Sequence, residues 1–444
     1  MIARRISAMV GAGLLLAGAV SADSYIVMAK KNLPADFQAQ LAASGATLTA
    51  HIPEIGIAVV ESADPSFAAG MEGIRSVTAD IELQFAPVGD AAELKVEATA
   101  ANPPNSGEDD FFFDLQWGHD AVDAIEAWNN GHRGAGARVA VLDSGMDGDH
   151  PDIAPNLNAA LSASFVPGED WNVRPGFFFN HGTHVGGTIA AADNGIGTIG
   201  VAPEAELVAV KVLSEFTGGG SFGGIIQGIV YAANIGSDVI NMSLGVPGGI
   251  PHNVPGAAEL FVATGRATTY AWQQGSLVIS SAGNDNIDLD HNKSTKAFPA
   301  ELPHVLSISA TAPQGWALDP ANAFFGHKAS YSNYGQSGID FSAPGGDYSY
   351  AGNEICQVGF IVRPCFVLDF VFSTISGGWG WSVGTSMAAP HAAGVAALII
   401  GSNGGDMSPA HVIAALAQGS DDLGKPGNDD VHGGGSVNAN GSTN

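Results

Sequence analysis

The second part of the chain alternates short apolar runs with segments of helical periodicity. A strand that is apolar on both of its faces is typical of a parallel sheet with helices on both sides. The clearest runs are Arg138 to Leu142, Leu207 to Val212, Val239 to Met242 and Leu277 to Ser280. The pattern predicts an α/β domain with a mostly parallel sheet. Polar residues at the ends of these strands are candidate site residues, because sites collect there.

A different pattern precedes this domain. Residues 23–88 mix short strand-like and helix-like stretches, which predicts a small α+β unit. The expected strands are Ser24 to Met28, Ile57 to Val60 and Val77 to Leu83, and the expected helices are Asp36 to Ser44 and Phe67 to Ile74. Residues 89–110 are rich in Pro, Ala, Asn and acidic residues. That composition is typical of an exposed, cleavable linker.

The first 22 residues have the layout of a secretory signal. Arg4 and Arg5 precede a mostly apolar stretch from Ala8 to Val20, and small residues stand before Asp23. The apolar stretch is too short to span a bilayer, so a membrane anchor is the weaker interpretation. We therefore expect cleavage before Asp23, no permanent membrane anchor, and secretion to the extracellular space, with the periplasm as an alternative.

Composition narrows the class of protein further. The chain has 444 residues, of which 45% are apolar, enough for a sizeable core. It carries 16 Lys and Arg against 44 Asp and Glu, a formal charge of −28. Nucleic acids and anionic membrane surfaces both require clustered positive charge, so neither is expected as the main partner.

The two cysteines, Cys356 and Cys365, are nine positions apart. In an oxidising compartment they could close a small loop as a disulfide. The alternative is two reduced, buried thiols. Zinc binding is weakly supported, since no His or Cys partner stands at zinc spacing.

Four motifs carry candidate chemistry, and each has a plain structural explanation when taken alone. Asp143 follows a buried strand directly, where an acid often caps a turn. Ser386 follows a Gly-Thr pair at the start of an apolar helix, where Ser is a common cap. His181 and His184 are three apart, so they could bind a metal on one helix face, although no Glu follows His181 as in zinc proteases. Asn284 follows the strand that ends at Ser280.

Together, in the order Asp, His, Asn, Ser, these motifs resemble those of the subtilisin-like serine proteases, over roughly residues 115–440. The resemblance implies a doubly wound α/β fold with a mostly parallel central sheet and helices on both faces. It also implies a secreted serine endopeptidase made as a self-processing precursor. The implied segments are a signal peptide at 1–22, an inhibitory propeptide domain at 23–88, a linker with a processing site at 89–110, and a peptidase domain at 111–444.

The resemblance assigns a role to each motif residue. Ser386 matches the nucleophile, His181 the general base, and Asp143 the acid that orients the imidazole. Asn284 matches a side-chain donor to the oxyanion, with the backbone N–H of Ser386 as the second donor. The other motif histidines, His184 and His391, match non-catalytic positions, and we expect them to be packed helix residues.

The same resemblance places the substrate as an added strand. One expected edge is Ser243-Leu244-Gly245, and Ser281-Ala282-Gly283 is expected beside it. The opposite edge is Gly218-Gly219-Gly220, for which a flexible loop is an equally good interpretation. Substrates would be proteins or peptides, and the chain's own propeptide would be an intramolecular inhibitor.

A structural calcium site is also implied by the resemblance, and no organic cofactor is. Asp152 lies nine residues after Asp143, as in family members that bind calcium tightly. The further ligands would be the side chains of Asp109 and Asn194 and the carbonyls of Ala192, Ile196 and Thr198. Calcium takes six to eight oxygens, and this set approaches that number. The alternative is a surface turn held by its glycines.

Two regions depart from the compact family core. Residues Gly346 to Ser382 form an apolar, aromatic-rich insertion that could shape a pocket or cover the groove. Gly249 to Thr269 resembles an expanded loop. Two other classes of function remain open: a non-catalytic binding protein that keeps the fold, and a metal hydrolase built on His181 and His184. The protein is expected to be a monomer.

Overall fold

The structure is a computed structural model that describes residues 24–85, 92–94, 109–176, 178–350 and 352–444. The expected signal peptide and most of the expected linker lie outside these residues. The chain divides into two compact units, Met1–Glu82 and Leu83–Asn444. The first unit thus ends six residues before the boundary that the composition suggested, and residues 83–85 belong to the second unit.

The first unit is a four-stranded antiparallel sheet with one helix against it. Its elements are β1 Ser24–Ala29, α1 Phe37–Ser44, β2 Thr47–Ile52, β3 Ile57–Glu61 and β4 Ile74–Ala79, in the spatial order β2-β3-β1-β4. Val27 and Val60 from the sheet pack with Phe37 and Leu41 from the helix. The expected helix at Asp36 to Ser44 and the strands at Ser24 and Ile57 are confirmed, whereas β2 was not predicted.

The helix expected at Phe67 to Ile74 is wrong. That stretch is a run of tight turns, in which Phe67 N donates to Asp64 O and Met71 N to Ala68 O. These bonds span three residues rather than the four of an α-helix. Gly70 and Gly73 have φ values of 83° and 84°, which end any helical continuation. The strand expected at Val77 to Leu83 begins earlier, at Ile74, and ends at Ala79.

The other strands and helices of the described residues follow from β5 and α2 onward. The strands are β5 Glu82–Gln84, β6 Ala92–Leu94, β7 Arg138–Asp143, β8 Ala163–Ser164, β9 Glu206–Lys211, β10 Gly219–Ser221, β11 Val239–Met242, β12 Ile250–Pro251, β13 Leu277–Ser281, β14 Thr295–Lys296, β15 Val305–Ala312, β16 His327–Lys328, β17 Phe341–Pro344, β18 Ile355–Val358, β19 Ile361–Pro364, β20 Val371–Ile375 and β21 Gly378–Ser382. The helices are α2 Trp117–Ala121, α3 Ala124–Asn129, α4 His181–Ala190, α5 Phe222–Asn234, α6 Ala257–Gln273, α7 Cys365–Leu368, α8 Thr385–Ser402, α9 Pro409–Gly419 and α10 Ala439–Thr443.

The centre of the second unit is an eight-stranded sheet. Its order is β16-β15-β13-β11-β7-β9-β8, with β17 also paired to β15. The pairs are parallel except β15 with β16. All four predicted strands are present as β7, β9, β11 and β13. Along the chain β7 comes first, β9 then lies on one side of it, and β11 lies on the other side. A crevice at the carboxyl ends of β7 and β11 follows from this reversal of order.

Helices cover both faces of this sheet. Val139 and Val141 on β7 pack in one core with Val185 and Ile189 of α4 and with α8. On the other face, Leu142 lies against Gly228 of α5. Helix α8 has the length and apolar composition of a membrane-spanning helix, but 89% of it is buried inside the fold, as in the core helix of a folded domain. The predicted doubly wound α/β fold is confirmed.

The two regions that depart from the compact core are both structured. Helix α6 occupies most of Gly249 to Thr269, so the expected expanded loop is wrong from Ala257 onward. Leu260, Ala263, Ala267 and Ala271 bury one face of that helix, at the spacing that a 3.6-residue period requires.

The insertion Gly346 to Ser382 contains two hairpins. The first, β18–β19, is followed directly by α7, and the predicted disulfide Cys356–Cys365 links the two. The second, β20–β21, packs against α4. Thr374 Oγ1 donates to Thr183 O at 2.8 Å, and Ser373 Oγ donates to His184 O at 3.0 Å. This part of the insertion therefore supports the helix that begins at His181.

Candidate active site

Asp143 and His181 form a buried pair at the carboxyl end of the sheet. Asp143 is the last residue of β7, and His181 is the first residue of α4. Asn180 caps that helix, since its side chain accepts the N–H of Thr183 at 2.8 Å. Nδ1 of His181 lies 2.9 Å from each carboxylate oxygen of Asp143. The side chains are 3% and 1% exposed, so water competes little for this pair.

Ser386 lies in the first turn of α8 and is 7% exposed. Its hydroxyl donates to the carbonyl of Ser243 at 3.3 Å. Ser243 directly follows β11, the neighbour of β7 in the sheet. Nε2 of His181 is buried and has no hydrogen-bond partner among the described residues. The serine hydroxyl thus faces the end of β11 in this conformation, and the free imidazole nitrogen is available for another partner.

Asn284 is held beside Ser386 by its carbonyl oxygen. Oδ1 of Asn284 accepts the N–H of Thr385 at 2.9 Å and its hydroxyl at 2.8 Å. These two bonds fix the orientation of the amide, so that Nδ2 points to the other side. A Cβ placed on Gly384 would lie 3.5 Å from Asn284 Nδ2 and 3.6 Å from the backbone N of Ser386. The side-chain nitrogen of Asn284 and the backbone nitrogen of Ser386 therefore both border the space that a side chain at position 384 would occupy.

Phe85, in the second unit, forms backbone hydrogen bonds with both predicted substrate edges. The N–H of Phe85 donates to the carbonyl of Gly218 at 3.1 Å, and the carbonyl of Phe85 accepts the N–H of Gly245 at 3.0 Å. Strands β5 and β10 form a two-stranded sheet. The Gly218 edge is an ordered strand edge and not a flexible loop, since Ser214 N donates to Gly219 O at 2.8 Å.

The side chain of Phe85 is enclosed by aromatic rings. It is 4% exposed, and its ring centroid lies 6.0 Å from those of Phe222 and Phe298. Phe261 from α6 packs on Phe298 at 5.5 Å. The region expected to be a loop thus contributes an aromatic side chain behind this pocket, a role that the sequence did not reveal.

The other predicted substrate residues lie at the ends of β11 and β13. Ser281 Oγ donates to the carbonyl of Leu244 at 3.2 Å, which ties the two strand ends together. Gly283 N donates to Thr385 Oγ1 at 3.2 Å. The carbonyl of Ala282 accepts Asn333 Nδ2 at 2.8 Å. The structure therefore brings Ser243 to Gly245 and Ser281 to Gly283 together next to Ser386.

The predicted calcium ligands form a compact polar loop. Asp152 is fully buried, and its Oδ2 accepts the N–H of Thr198 at 2.9 Å and Trp379 Nε1 at 2.8 Å. Asn194 Nδ2 lies 3.4 Å from Asp152 Oδ1. The backbone N–H of Ala192 donates to the carbonyl of Asp152 at 2.8 Å. Ile196 N donates to Asn194 Oδ1 at 3.1 Å, which closes the loop.

A further acidic residue, Asp110, lies next to this loop and was not among the predicted ligands. Asp110 is fully buried, and its Oδ2 has no hydrogen-bond partner among the described residues. Burial and the nearby Asp193 raise the pKa of Asp110 to about 8. Ligand atoms of Asp109, Asp110 and Asp193 all lie within 4.8 Å of one another. The apolar run that begins at Phe111 was the available signal, because it draws its neighbour Asp110 into the interior.

The remaining histidines of the motifs are packed helix residues, as predicted. Burial lowers the pKa of His184 to about 3 and that of His391 to about 4. Nδ1 of His391 contacts the carbonyl of Met387 at 2.8 Å. Nδ1 of His181 is engaged with Asp143, and among the described residues no metal-type cluster contains His181 or His184. The geometry does not support a metal hydrolase built on this pair.

Comparison with known proteins agrees with this geometry. Residues 134–435 match the model of the subtilase family. The chain is 37% identical over 287 residues to subtilisin of Bacillus pumilus, a match that covers 64% of this chain and 84% of that protein. It is also 37% identical over 287 residues to subtilisin E of Bacillus subtilis strain 168, covering 61% of the latter.

Solved structures share the fold. The epidermin leader peptide processing serine protease of Staphylococcus aureus has a TM-score of 0.73 and 22% identity, covering 95% of this chain and 97% of that chain. A lanthipeptide protease has a TM-score of 0.59 and 28% identity, covering 74% of this chain and 94% of that chain. The sheet topology, the buried Asp143–His181 pair and the family match lead to one conclusion: the chain belongs to the subtilase family of serine peptidases.

Proposed function

We propose that this protein is a secreted serine endopeptidase that is made as a self-processing precursor. The observation that carries the proposal lies at the carboxyl ends of two neighbouring strands. β7 ends at Asp143, which bonds to His181, and β11 ends just before Ser243, whose carbonyl accepts the hydroxyl of Ser386. A hydroxyl is a weak nucleophile near neutral pH and needs an adjacent base, and the base needs a group that orients it. These three residues supply the three parts.

The proton path follows from the hydrogen bonds. Asp143 accepts the Nδ1 proton of His181, which leaves Nε2 unprotonated and able to accept the proton of Ser386 after its hydroxyl turns away from Ser243 O. Oγ of Ser386 then bonds to the peptide carbonyl carbon. Nε2 returns the proton to the amine as the C–N bond breaks. Water hydrolyses the resulting ester with His181 as base again, which regenerates Ser386.

Negative charge develops on the carbonyl oxygen during both steps. Asn284 Nδ2 and the backbone N–H of Ser386 both border the space beside Gly384, where that oxygen would lie. The Ser386 N–H is in the first turn of α8, where helix N–H groups have no intrahelical acceptor. Preorganised donors of this kind stabilise the transition state without rearrangement. We assign both groups to the oxyanion hole.

Phe85 indicates how a peptide substrate binds. Its main chain lies between Gly218 and Gly245 and bonds to both, as an added strand would. The ring of Phe85 fills the pocket formed by Phe222 and Phe298. Main-chain bonds give affinity for many sequences, and the aromatic pocket favours substrates with a large apolar residue at this position.

The same contacts support a precursor that inhibits itself. Residues 23–88 would act as the propeptide, and cleavage within 89–110 would release a mature enzyme. The short segment around Phe85 occupies both substrate edges, so it competes with substrate until it is displaced. The presence of this segment in the groove supports the proposal that Ser386 processes its own chain.

We further propose one structural calcium ion. The orphaned Oδ2 of buried Asp110 fits such a site, because a buried carboxylate oxygen that has no hydrogen bond would be stabilised by a bound cation. The ligands would be Asp110 together with the predicted set of Asp109, Asp152, Asn194 and the carbonyls of Ala192, Ile196 and Thr198. The ion would tie the start of the peptidase domain to the loop after α4 and would take no part in the reaction. Asp193 is not assigned, since it pairs with Arg133.

The compartment and the partners follow from the rest of the chain. The disulfide Cys356–Cys365 suits an oxidising, extracellular or periplasmic location. The charge of −28 suits a secreted protein that acts on proteins or peptides and not on nucleic acid. We propose a monomeric enzyme with no organic cofactor and no permanent membrane anchor.

The test is the Ser386→Ala variant of the full chain. It should lose peptide hydrolysis and fluorophosphonate labelling, and mass spectrometry should find only precursor. Ser402→Ala, at the other end of the same helix, is the matched control and should mature normally. A Ser386→Ala chain that still matures when expressed alone would refute self-processing. Wild-type protein that neither cleaves peptides nor takes the label would favour a non-catalytic binding protein instead.

A further inference from the structure

Lys211 is a fully buried cation next to the candidate site. It is the last residue of β9, and it pairs in the sheet register with Asp143, the last residue of β7. Its side chain is 0% exposed, and Nζ lies 2.9 Å from Glu169 Oε2 and 3.6 Å from Glu215 Oε1. No step of the proposed reaction uses these three charges.

The cluster extends to a fourth residue. Nη1 of Arg174 donates to Glu215 Oε2 at 2.8 Å, and Glu169 Oε2 accepts the N–H of Glu215 at 3.0 Å. The guanidinium of Arg174 lies over the rings of Phe178 and Phe216, 4.0 and 4.7 Å from their centroids. We call Glu169, Arg174, Lys211 and Glu215 the Lys211 network.

This network connects Asp143 with one edge of the substrate groove. On one side, the N–H of Val212 donates to the carbonyl of Asp143 at 2.9 Å. On the other, Glu215 begins the turn that ends at Gly218, and Gly218 N donates to Ser214 O at 2.8 Å. Gly218 is the residue whose carbonyl accepts the N–H of Phe85. The buried charges therefore lie at the base of the turn that presents the groove edge.

Stability alone does not account for such a cluster. Buried ion pairs lose hydration, and apolar side chains of similar volume are often at least as stabilising. Ion pairs differ from apolar contacts because they are directional. Each carboxylate must lie at a defined position relative to its cationic partner. Glu215 meets two cations, Lys211 from the sheet and Arg174 from the neighbouring loop, so its backbone is fixed from two sides.

We propose that the Lys211 network is a positioning device for peptide binding, which holds the Gly218 edge at a set distance from the site around Asp143. The inference deepens the proposed peptidase function and rests on it. The substrate residue that bonds to Gly218 stands at the position of Phe85, opposite Gly245, whereas Ser386 contacts Ser243 two residues away. At about 3.3 Å per strand residue, a single-residue ester does not reach Gly218.

The test compares two substrates on matured enzyme whose active sites have been counted with a fluorophosphonate. One is an N-acetyl amino acid ester, and the other is a peptide of six residues with Phe at the Phe85 position. Lys211→Met should raise KM for the peptide about tenfold, and its kcat/KM should fall at least fivefold more for the peptide than for the ester. Lys211→Arg should recover most of the difference. Glu215→Gln, which keeps the shape but removes the charge, should change the ratio in the same direction.

The matched control is Glu206→Gln. Glu206 pairs with Arg138 across the same two strands, β7 and β9, at the opposite end of the sheet. For this variant, the ratio of kcat/KM for the peptide to kcat/KM for the ester should equal that of the wild type. If Lys211→Met and Glu215→Gln only lower the melting temperature and leave the ratio unchanged, the network is structural and the positioning role is refuted. Wild-type enzyme that cleaves neither substrate would refute the proposed function itself.

Discussion

Nδ1 of His181 lies 2.9 Å from both carboxylate oxygens of Asp143. The imidazole is held from this side, and its buried Nε2 atom has no hydrogen-bond partner among the described residues. The elements that meet here come from distant parts of the chain: the end of β7, the start of α4 and, with Ser386, the start of α8.

Asn284→Ala should lower kcat for peptide hydrolysis by about 10²–10³, with a much smaller change in KM. The reason is that its Nδ2 atom would bond to the oxygen more strongly in the transition state than in the bound substrate. Steady-state kinetics on active-site-titrated enzyme measures both constants. A kcat within threefold of the wild type would remove Asn284 from the oxyanion hole.

Asn284→Asp separates this role from a structural one. The aspartate keeps an oxygen that can accept both bonds from Thr385, but it replaces the donor with a second oxygen. It should therefore be at least as inactive as Asn284→Ala. If Asn284→Asp were active and Asn284→Ala were not, Asn284 would act only by holding Thr385.

Chelation should lower the melting temperature of the mature enzyme. A ligand that binds only the folded state stabilises it by about 2.7 kcal/mol at a hundredfold excess over Kd. Asn194→Ala should remove most of the difference between calcium and chelator. Asp110→Asn should do the same, and in chelator it should melt no lower than the wild type, because it replaces a buried carboxyl group whose Oδ2 atom has no hydrogen-bond partner among the described residues. Identical wild-type melting curves with and without chelator would exclude the site.

The fold and the catalytic motifs were predictable for a physical reason. Buried parallel strands leave a continuous apolar signal, as at Val139 to Leu142, and Asp143 follows this run directly in the sequence. The helix at Asp36 to Ser44 was likewise visible from its period.

Other features depend on tertiary contacts that a single sequence does not display. Phe67 to Ile74 has helical periodicity, but Gly70 and Gly73 take left-handed conformations that turn the chain. Helix α6 was missed because its buried face consists mainly of small residues such as Ala263 and Ala267. Asp110 and Phe85 gain their importance only from their surroundings. Asp110 contacts Asn194, which lies 84 residues further along the chain, and Phe85 bonds to Gly218 and Gly245.

Buried His391 should make stability depend on pH. Burial lowers its pKa from about 6.5 to about 4. The unfolded chain then binds a proton that the folded chain does not, so stability present above pH 6.5 is lost as the pH falls towards 4. Burial raises the pKa of Asp120 to about 6 and that of Asp369 to about 7, which acts in the opposite sense. The contribution of His391 must therefore be measured as a difference between variants.

The measurement is urea unfolding of the inactive Ser386→Ala precursor, with and without His391→Gln, at pH 7 and pH 5. Relative to its parent, the His391→Gln chain should gain about 2 kcal/mol between the two pH values, since one pKa unit corresponds to about 1.4 kcal/mol. His411→Gln changes an exposed histidine on α9 and should give no such gain. An equal stability difference at both pH values would contradict the prediction.

Moderate salt should raise the stability of the mature enzyme. Residues 101–444 hold 10 Lys and Arg against 33 Asp and Glu, a formal charge of −23. Arg133, Arg138, Arg174 and Lys211 already pair with carboxylates. The remaining acidic surface repels itself, and 0.1 M salt screens this repulsion beyond about 10 Å. Melting temperature should therefore rise between 10 and 200 mM sodium chloride with calcium saturating.

The same field should act on substrates. A cationic peptide is attracted to an acidic surface, so its kcat/KM should fall as salt rises, whereas that of a neutral peptide of the same length should not. The neutral peptide is the control for any direct effect of salt on the active site. The two measurements distinguish an electrostatic field that affects stability and substrate capture from a surface charge that serves solubility alone. If neither the melting temperature nor the cationic peptide responds to salt, the acidic surface has no role in stability or capture.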